Sequence, residues 1–159
     1  MHIALVGDST LDNESYTDGG PSVTDHLRSI MGPAVSVTLV ALDGATTHQV
    51  PFQLERLPPG GGHVVLSVGG NDALGYIELL GKSAVSVSDA LTQLSDMVAE
   101  FERAYQAGLE AVLARDVPTT ICTIYNGAFP DVDEQRVITT TVRLFDDVIT
   151  QAATRAMCP

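Results

Sequence analysis

The stretch "ALVGDSTLDN", residues 4 to 13, begins as an apolar strand pattern and then changes abruptly to short polar side chains. Asp8, Ser9 and Thr10 are residue types that suit a turn, so the polar part could be an ordinary loop. Alternatively, the strand serves to hold Ser9 at a defined position. The segments that follow the other strands of the chain decide between these two interpretations.

Short apolar runs predict four strands, at residues 2–7, 35–42, 63–68 and 119–125. The first and third runs are continuously apolar at their centres, as expected of parallel strands that are covered on both faces. Helical patterns alternate with these strands. Two are weak and lie at residues 21–31 and 47–56. Two are clear: one begins at the capping-box pair Ser86 and Asp89 and continues to Val112, and the other runs from Asp131 or Asp133 to Ala152. The segment "LPPGGGH", residues 57–63, is predicted to be a loop. This order predicts a three-layer α/β/α fold with a parallel sheet.

Composition limits the classes of partner. The 8 Lys and Arg residues stand against 20 Asp and Glu, a net charge of −12, which repels nucleic acid and anionic membranes. No apolar run reaches membrane-spanning length. Two cysteines do not make a disulfide framework. We therefore expect residues 1–159 to form a single cytoplasmic domain with no nucleic-acid partner and no membrane span.

Polar segments follow each predicted strand, in order "GDSTLDN", "DGATTH", "GGNDALG" and "YNGAFPD". Because ligands of parallel α/β folds bind at the carboxyl ends of the strands, Ser9, Gly44 and Asn71 should lie at one edge of the sheet. Ser9 offers a nucleophilic hydroxyl and a backbone N–H, Gly44 a second N–H, and Asn71 a side-chain amide. Such a set can form an oxyanion hole for acyl transfer.

"GDSTLDN", "DGATT" and "GGND" resemble the first three sequence blocks of the SGNH (GDSL-type) hydrolases, and "ICTIYN" resembles their fourth strand. The resemblance implies a flavodoxin-like fold, Ser9 as the nucleophile, and Ser9, Gly44 and Asn71 as oxyanion donors. It also implies hydrolysis of small-molecule esters or thioesters through an acyl-serine intermediate, with no cofactor and no metal.

The sequence departs from that family at its end. The family continues with a fifth strand and an Asp-x-x-His block that supplies the general base, whereas this sequence ends at "ATRAMCP", residues 153–159. The expectation is a C-terminally truncated, catalytically impaired domain that lacks the fifth strand. The fourth strand would then be a bare edge, available for pairing with another chain in a homo-oligomer.

The four histidines differ in where the predicted sheet places them. His2 and His63 open the first and third strands, at the pole opposite to Ser9, and His26 lies within the first helix. Only His48 is at the same pole, so it is the one candidate for a substitute base, although a solvated residue in the first turn of a helix is the better explanation of its position.

Two alternatives from other classes stay open. One is a non-catalytic binding module that retains the oxyanion hole for carbonyl or carboxylate ligands. The other is a receiver-like domain in which Asp8, Asp12 and Asp72 hold a divalent cation beside Lys82. In the hydrolase interpretation, Asp8 and Asp72 instead accept local backbone hydrogen bonds that support the loops after the first and third strands.

Overall fold

A computed structural model describes residues 1–58 and 62–158 of the chain. The strands are β1 (His2–Gly7), β2 (Ser36–Leu39), β3 (His63–Ser67) and β4 (Thr119–Ile121). The α-helices are α1 (Val23–Met31), α2 (Val50–Glu55), α3 (Gly70–Gly75), α4 (Val87–Leu113) and α5 (Val132–Arg155). Short 3₁₀ helices cover Glu14–Tyr16, Thr47–Gln49 and Ile77–Gly81.

All four predicted strands are present, although β2 and β4 are shorter than expected. The sequence patterns did not predict α3 or the 3₁₀ helix Ile77–Gly81, because this segment has no long apolar repeat. The predicted loop at residues 57–63 falls partly outside the described residues, since positions 59–61 are not among them.

The strands form one parallel sheet in the order β2-β1-β3-β4. Ile3 pairs with His63 at the start of the β1–β3 ladder, and Gly7 pairs with Ser67 at its end. The segments that follow β1 and β3 therefore leave the sheet side by side. The predicted α/β fold with a parallel sheet is confirmed, and β4 lies at one end of the four strands that the described residues form.

Helices cover both faces of the sheet, which makes the three layers. One face of β1 and β3 packs against α2, α4 and α5, where the rings of Phe101 and Phe145 meet at a centroid distance of 4.7 Å. The other face, with Ile3 and Leu5 of β1, packs against α1 through partly buried side chains such as Leu27. Alternate residues of β1 thus face opposite sides, as a doubly covered parallel strand requires.

Side-chain caps define where the long helices begin. Ser86 accepts a hydrogen bond from the Asp89 N–H at 3.0 Å, but the Asp89 carboxylate binds the Val85 N–H rather than completing a reciprocal capping box. Asp131 accepts from the N–H groups of Asp133 and Glu134 at the start of α5. Each cap satisfies backbone donors that have no partner within the helix.

No helix in residues 1–58 and 62–158 is both long enough and apolar enough to cross a membrane.

Candidate active site

Gly7 makes the sharp exit from β1 possible. Its φ of +133° lies in a region that side-chain-bearing residues rarely adopt, and a Cβ on Gly7 would lie 1.8 Å from the Ser67 carbonyl oxygen of β3. The next residue, Asp8, donates its N–H to that same oxygen at 2.9 Å. Close approach of the two strands therefore requires glycine and directs the chain into the turn that carries Ser9.

The side chain of Gln53 in α2 forms two hydrogen bonds with the backbone of Gly7, at the end of β1. Its side-chain oxygen accepts from the Gly7 N–H at 2.7 Å, and its amide nitrogen donates to the Gly7 carbonyl at 2.8 Å. Gln53 is 1% exposed, so both bonds lie out of water. Sequence reasoning missed this residue, because nothing in the local pattern of a short helix distinguishes a glutamine that supports a strand 46 residues away.

Ser9 is half-buried and lies directly after the Asp8 anchor. Neither its N–H nor its hydroxyl forms a hydrogen bond with the residues the structure describes. The Asp8 carboxylate accepts from the Thr10 N–H at 3.0 Å, which tightens the turn around Ser9. Burial raises the pKa of Asp8 above 3.8, against the opposing effect of the hydrogen bonds from Thr10 and Gly70. Ser9 therefore offers a hydroxyl and a backbone donor, both open to a ligand.

Gly44 lies at the tip of a tight turn that follows β2. The Ala45 N–H donates to the Leu42 carbonyl at 3.1 Å, and Gly44 has a φ of +76°, the left-handed region where glycine carries no Cβ penalty. Gly44 is exposed, and its own N–H has no hydrogen-bond partner in the described part of the chain. Gly44 thus provides, after Ser9, a second backbone N–H that can donate to a ligand.

Asn71 joins the loop after β3 to the loop after β2. Its side-chain nitrogen donates to the carbonyl of Ala45, the residue after Gly44, at 2.9 Å. A primary amide carries two N–H donors, so one remains for a ligand. Asn71 belongs to α3, which begins immediately after β3.

Asp72 also connects these loops, over a longer range than expected. Its carboxylate accepts from the Thr47 N–H at 3.0 Å and from the Thr47 hydroxyl at 2.6 Å, 25 residues away in sequence. The expected local backbone bonds are thus replaced by bonds to the 3₁₀ helix Thr47–Gln49. Asp12 similarly accepts from the Asp43 N–H at 2.9 Å. The loops after β1, β2 and β3 are therefore tied together at one edge of the sheet.

A cavity of about 250 Å³ opens beside this edge. Ser9 and Asn71 line it, whereas Gly44 lies outside the lining, one residue from the carbonyl that Asn71 binds. The remaining walls are mostly apolar and come from α3, the 3₁₀ helix Ile77–Gly81, the segment after β4 and α5. The sequence placed residues 69–75 and 125–131 at the ligand-binding edge of the sheet, but it did not predict the apolar walls from residues 76–81 and α5, since these pack beside that edge only in the folded chain.

The histidines lie away from this cavity. His2 is hydrogen-bonded to Thr38 and His63 to Thr120, in each case at the amino end of the sheet. His26 is on α1, and His48 is an exposed residue of the 3₁₀ helix Thr47–Gln49. In the described ranges, no histidine lines the cavity. His48 is at the predicted pole of the sheet, but not against the space that Ser9 faces.

The carboxylates of the receiver-like alternative have other partners. Asp8, Asp12 and Asp72 bind Thr10, Asp43 and Thr47 respectively. Within residues 1–58 and 62–158, no group of three or more metal-ligating side chains is arranged to hold an ion. Nothing in this geometry favours the cation-binding alternative over an anion-stabilising site.

Among the comparisons with known proteins, the one with solved structures supports the architecture. No family model matches the sequence, and no curated protein sequence matches it either. Among solved structures, the chain is similar to the acetyl xylan esterase AlAXEase (TM-score 0.67, 17% identity, covering 99% of this chain and 75% of that one). It is also similar to phospholipase A1 from Streptomyces albidoflavus NA297, with a TM-score of 0.67, 19% identity, and coverage of 99% and 76%.

A third similar structure is an extracellular lipase from Streptomyces rimosus, with a TM-score of 0.60, 19% identity, and coverage of 99% of this chain and 77% of that one. The chain thus has the fold of the SGNH, or GDSL-type, esterases and lipases. At these identities the likeness defines the fold, and the chemistry must be argued from this chain's own residues.

Proposed function

We propose that this protein is a serine hydrolase that cleaves carboxylic esters or thioesters of small molecules through an acyl-serine intermediate. One observation carries the proposal: three N–H donors at one edge of the sheet have no hydrogen-bond partner among the described residues. They are the backbone N–H groups of Ser9 and Gly44 and the second side-chain N–H of Asn71. Donors held in advance by a rigid fold are what a developing oxyanion needs. The solved structures to which the chain is similar include an esterase and a lipase, which agrees with this chemistry.

In the proposed reaction, the Ser9 hydroxyl oxygen attacks the carbonyl carbon of the ester and loses its proton to a base. The carbonyl oxygen takes up negative charge, which the N–H groups of Ser9 and Gly44 and the Asn71 amide stabilise. The intermediate then expels the alcohol, which takes up a proton, and leaves an acyl group on Ser9. Water attacks this acyl-serine through the same oxyanion geometry, releasing the acid and restoring the hydroxyl.

Among the residues that the structure describes, the proposed site has no histidine positioned to act as the general base, because none lines the cavity. The geometry therefore positions no imidazole to take the Ser9 proton, and His48 is the substitute base to be tested by mutation. Without a positioned base, an oxyanion hole and substrate binding together still supply roughly 1,000- to 10,000-fold acceleration over water in the triad enzymes where this has been measured. We therefore propose an impaired activity for the 159-residue chain.

The test uses an activated ester together with a fluorophosphonate probe that labels nucleophilic serines. Ser9→Ala should abolish both labelling and turnover, and Asn71→Ala should lower kcat by about 100- to 1,000-fold. His48→Ala reports whether this residue acts as the base. Ser29→Ala, an exposed serine on α1, is the matched control and should leave both signals intact. Turnover that survives Ser9→Ala would refute the proposal.

A second candidate is a binding module that holds carbonyl or carboxylate ligands without turnover. The observation that favours it is that none of the described residues that line the cavity is a histidine. This function predicts that a carboxylic acid binds by calorimetry, that Asn71→Ala weakens binding, and that the fluorophosphonate does not label Ser9. Labelling of Ser9 would exclude it.

A further inference from the structure

The cavity beside Ser9 is polar at one part of its wall and apolar over the rest. The loops after β1 and β3 supply its polar groups, among them the Asp8 carboxylate, the Ser9 hydroxyl and the Asn71 amide. Leu80, Ile138 and Val142 are among its apolar side chains. No lysine or arginine contributes to the lining in the part of the chain that the structure describes. A ligand there would place a polar head near Ser9 and an uncharged tail among hydrocarbon groups.

The apolar walls are held in place by the core and by α5. Tyr76 packs its ring on Phe145 of α5 at a centroid distance of 6.1 Å. On the other wall, the Ile124 N–H donates to the Asp146 carboxylate at 2.8 Å, and the Phe129 N–H donates to the Gln135 side chain at 2.8 Å. The segment after β4 is thus hydrogen-bonded to α5, and the segment that carries Tyr76 packs on α5, so the pocket is a built feature of the fold.

The volume limits the length of the tail. An apolar cavity of about 150 Å³ holds benzene, which has six carbons, so a cavity of about 250 Å³ accommodates about ten heavy atoms, the size of a six- to eight-carbon acyl group with its ester oxygens. We propose that the pocket takes the acyl chain of a medium-length ester, about six to eight carbons long, and that Ile138 of α5 determines the length it accepts. The ester part of this inference rests on the proposed hydrolase function, whereas the pocket itself would bind the free acid as well.

Ile138 is suited to this role because α5 contributes to the wall but carries none of the three oxyanion donors. Added bulk at Ile138 reduces the space for the tail and leaves the polar end unchanged. Its neighbour Val137 is 48% exposed and does not line the cavity, so the same substitution there is a matched control. Each buried methylene should raise kcat/KM by up to about fourfold.

The experiment measures kcat/KM for 4-nitrophenyl esters from acetate to dodecanoate, together with calorimetric binding of octanoate, at one pH and salt concentration. In the unmodified chain, kcat/KM should rise from acetate to a maximum at hexanoate or octanoate. Ile138→Phe should lower the octanoate value at least about tenfold, leave acetate within about twofold, and weaken octanoate binding in parallel. Val137→Phe should leave the profile unchanged. Thermal unfolding of both variants checks that each remains folded.

The outcomes separate the two proposals. Two results would overturn the proposed acyl pocket and leave the hydrolase function intact. One is Ser9-dependent hydrolysis that is fastest for the acetate ester, and the other is a chain-length profile that Ile138→Phe does not change. Octanoate binding that Ile138→Phe weakens, without turnover of any ester, supports the pocket and refutes the hydrolase function. If octanoate does not bind and its ester is not hydrolysed, the inference is overturned. If Ile138→Phe unfolds, Ile138→Ala replaces it and should move the maximum to longer chains.

Discussion

The Gln53 side chain is a test of how the fold positions Ser9. Replacement by methionine keeps the length of the side chain and removes its amide, so the Gly7 N–H loses its partner. The Gly7 carbonyl keeps a second donor, because the Leu42 N–H binds it at 3.0 Å. Gln53→Met therefore leaves one buried donor unpaired and removes one further hydrogen bond whose acceptor stays satisfied.

These two effects set the size of the expected loss. An unpaired buried N–H costs about 1–3 kcal/mol, and a lost hydrogen bond with a satisfied partner costs about 0.5–1.5 kcal/mol. We therefore expect Gln53→Met to lower the free energy of unfolding by about 1.5–4.5 kcal/mol. Because the change conserves volume, a cavity contributes little. Small domains have only about 5–15 kcal/mol in total, so the effect is large.

Urea unfolding, followed by circular dichroism, measures this free energy directly. The control is Phe52→Ala on the same helix, where the side chain is 66% exposed and the change should stay within about 0.5 kcal/mol. If the enzyme is active, Gln53→Met should also lower turnover, since Ser9 lies two residues beyond Gly7. A loss of stability no larger than that of the control would show that the Gly7 amide does not depend on Gln53, and would refute the reasoning.

Two further predictions concern charge. Burial raises the pKa of Asp8 in the folded chain, so the folded state binds this proton more tightly than the unfolded state does, and the contribution of Asp8 to stability falls as the pH rises above 3.8. The stability of Asp8→Asn relative to the unmodified chain, measured by urea unfolding, should therefore be higher at pH 7.5 than at a pH below 3.8; a difference of the opposite sign would contradict the burial argument. Esters with an anionic leaving group should react about tenfold more slowly than neutral esters of the same acid, because Asp12 and Asp43 lie in the loops that surround the site and the net charge is −12. Added salt should reduce this difference, as the Debye length is only about 10 Å at 0.1 M, and a salt-independent ratio would count against it.

Local sequence patterns were sufficient to predict the four strands and the order of α1, α2, α4 and α5 among them, but not α3. The continuous apolar run of β1 indicates a strand buried on both faces, and Ser86 and Asp131 are residues that cap helices by interactions within one turn. The placement of Ser9, Gly44 and Asn71 after successive strands also follows from sequence, because parallel strands bring their carboxyl ends to one edge.

Tertiary structure alone decided what supports that edge and what lies beside it. The bonds from Gln53 to Gly7 and from Asp72 to Thr47 join residues 46 and 25 positions apart, and no periodicity or turn motif encodes such a pair. The cavity is likewise assembled from α3, the segment after β4 and α5, whose apolar side chains read as ordinary core residues in sequence. Local conformation depends on neighbours in the chain, whereas a pocket and its buried hydrogen bonds depend on which distant segments the packing brings together.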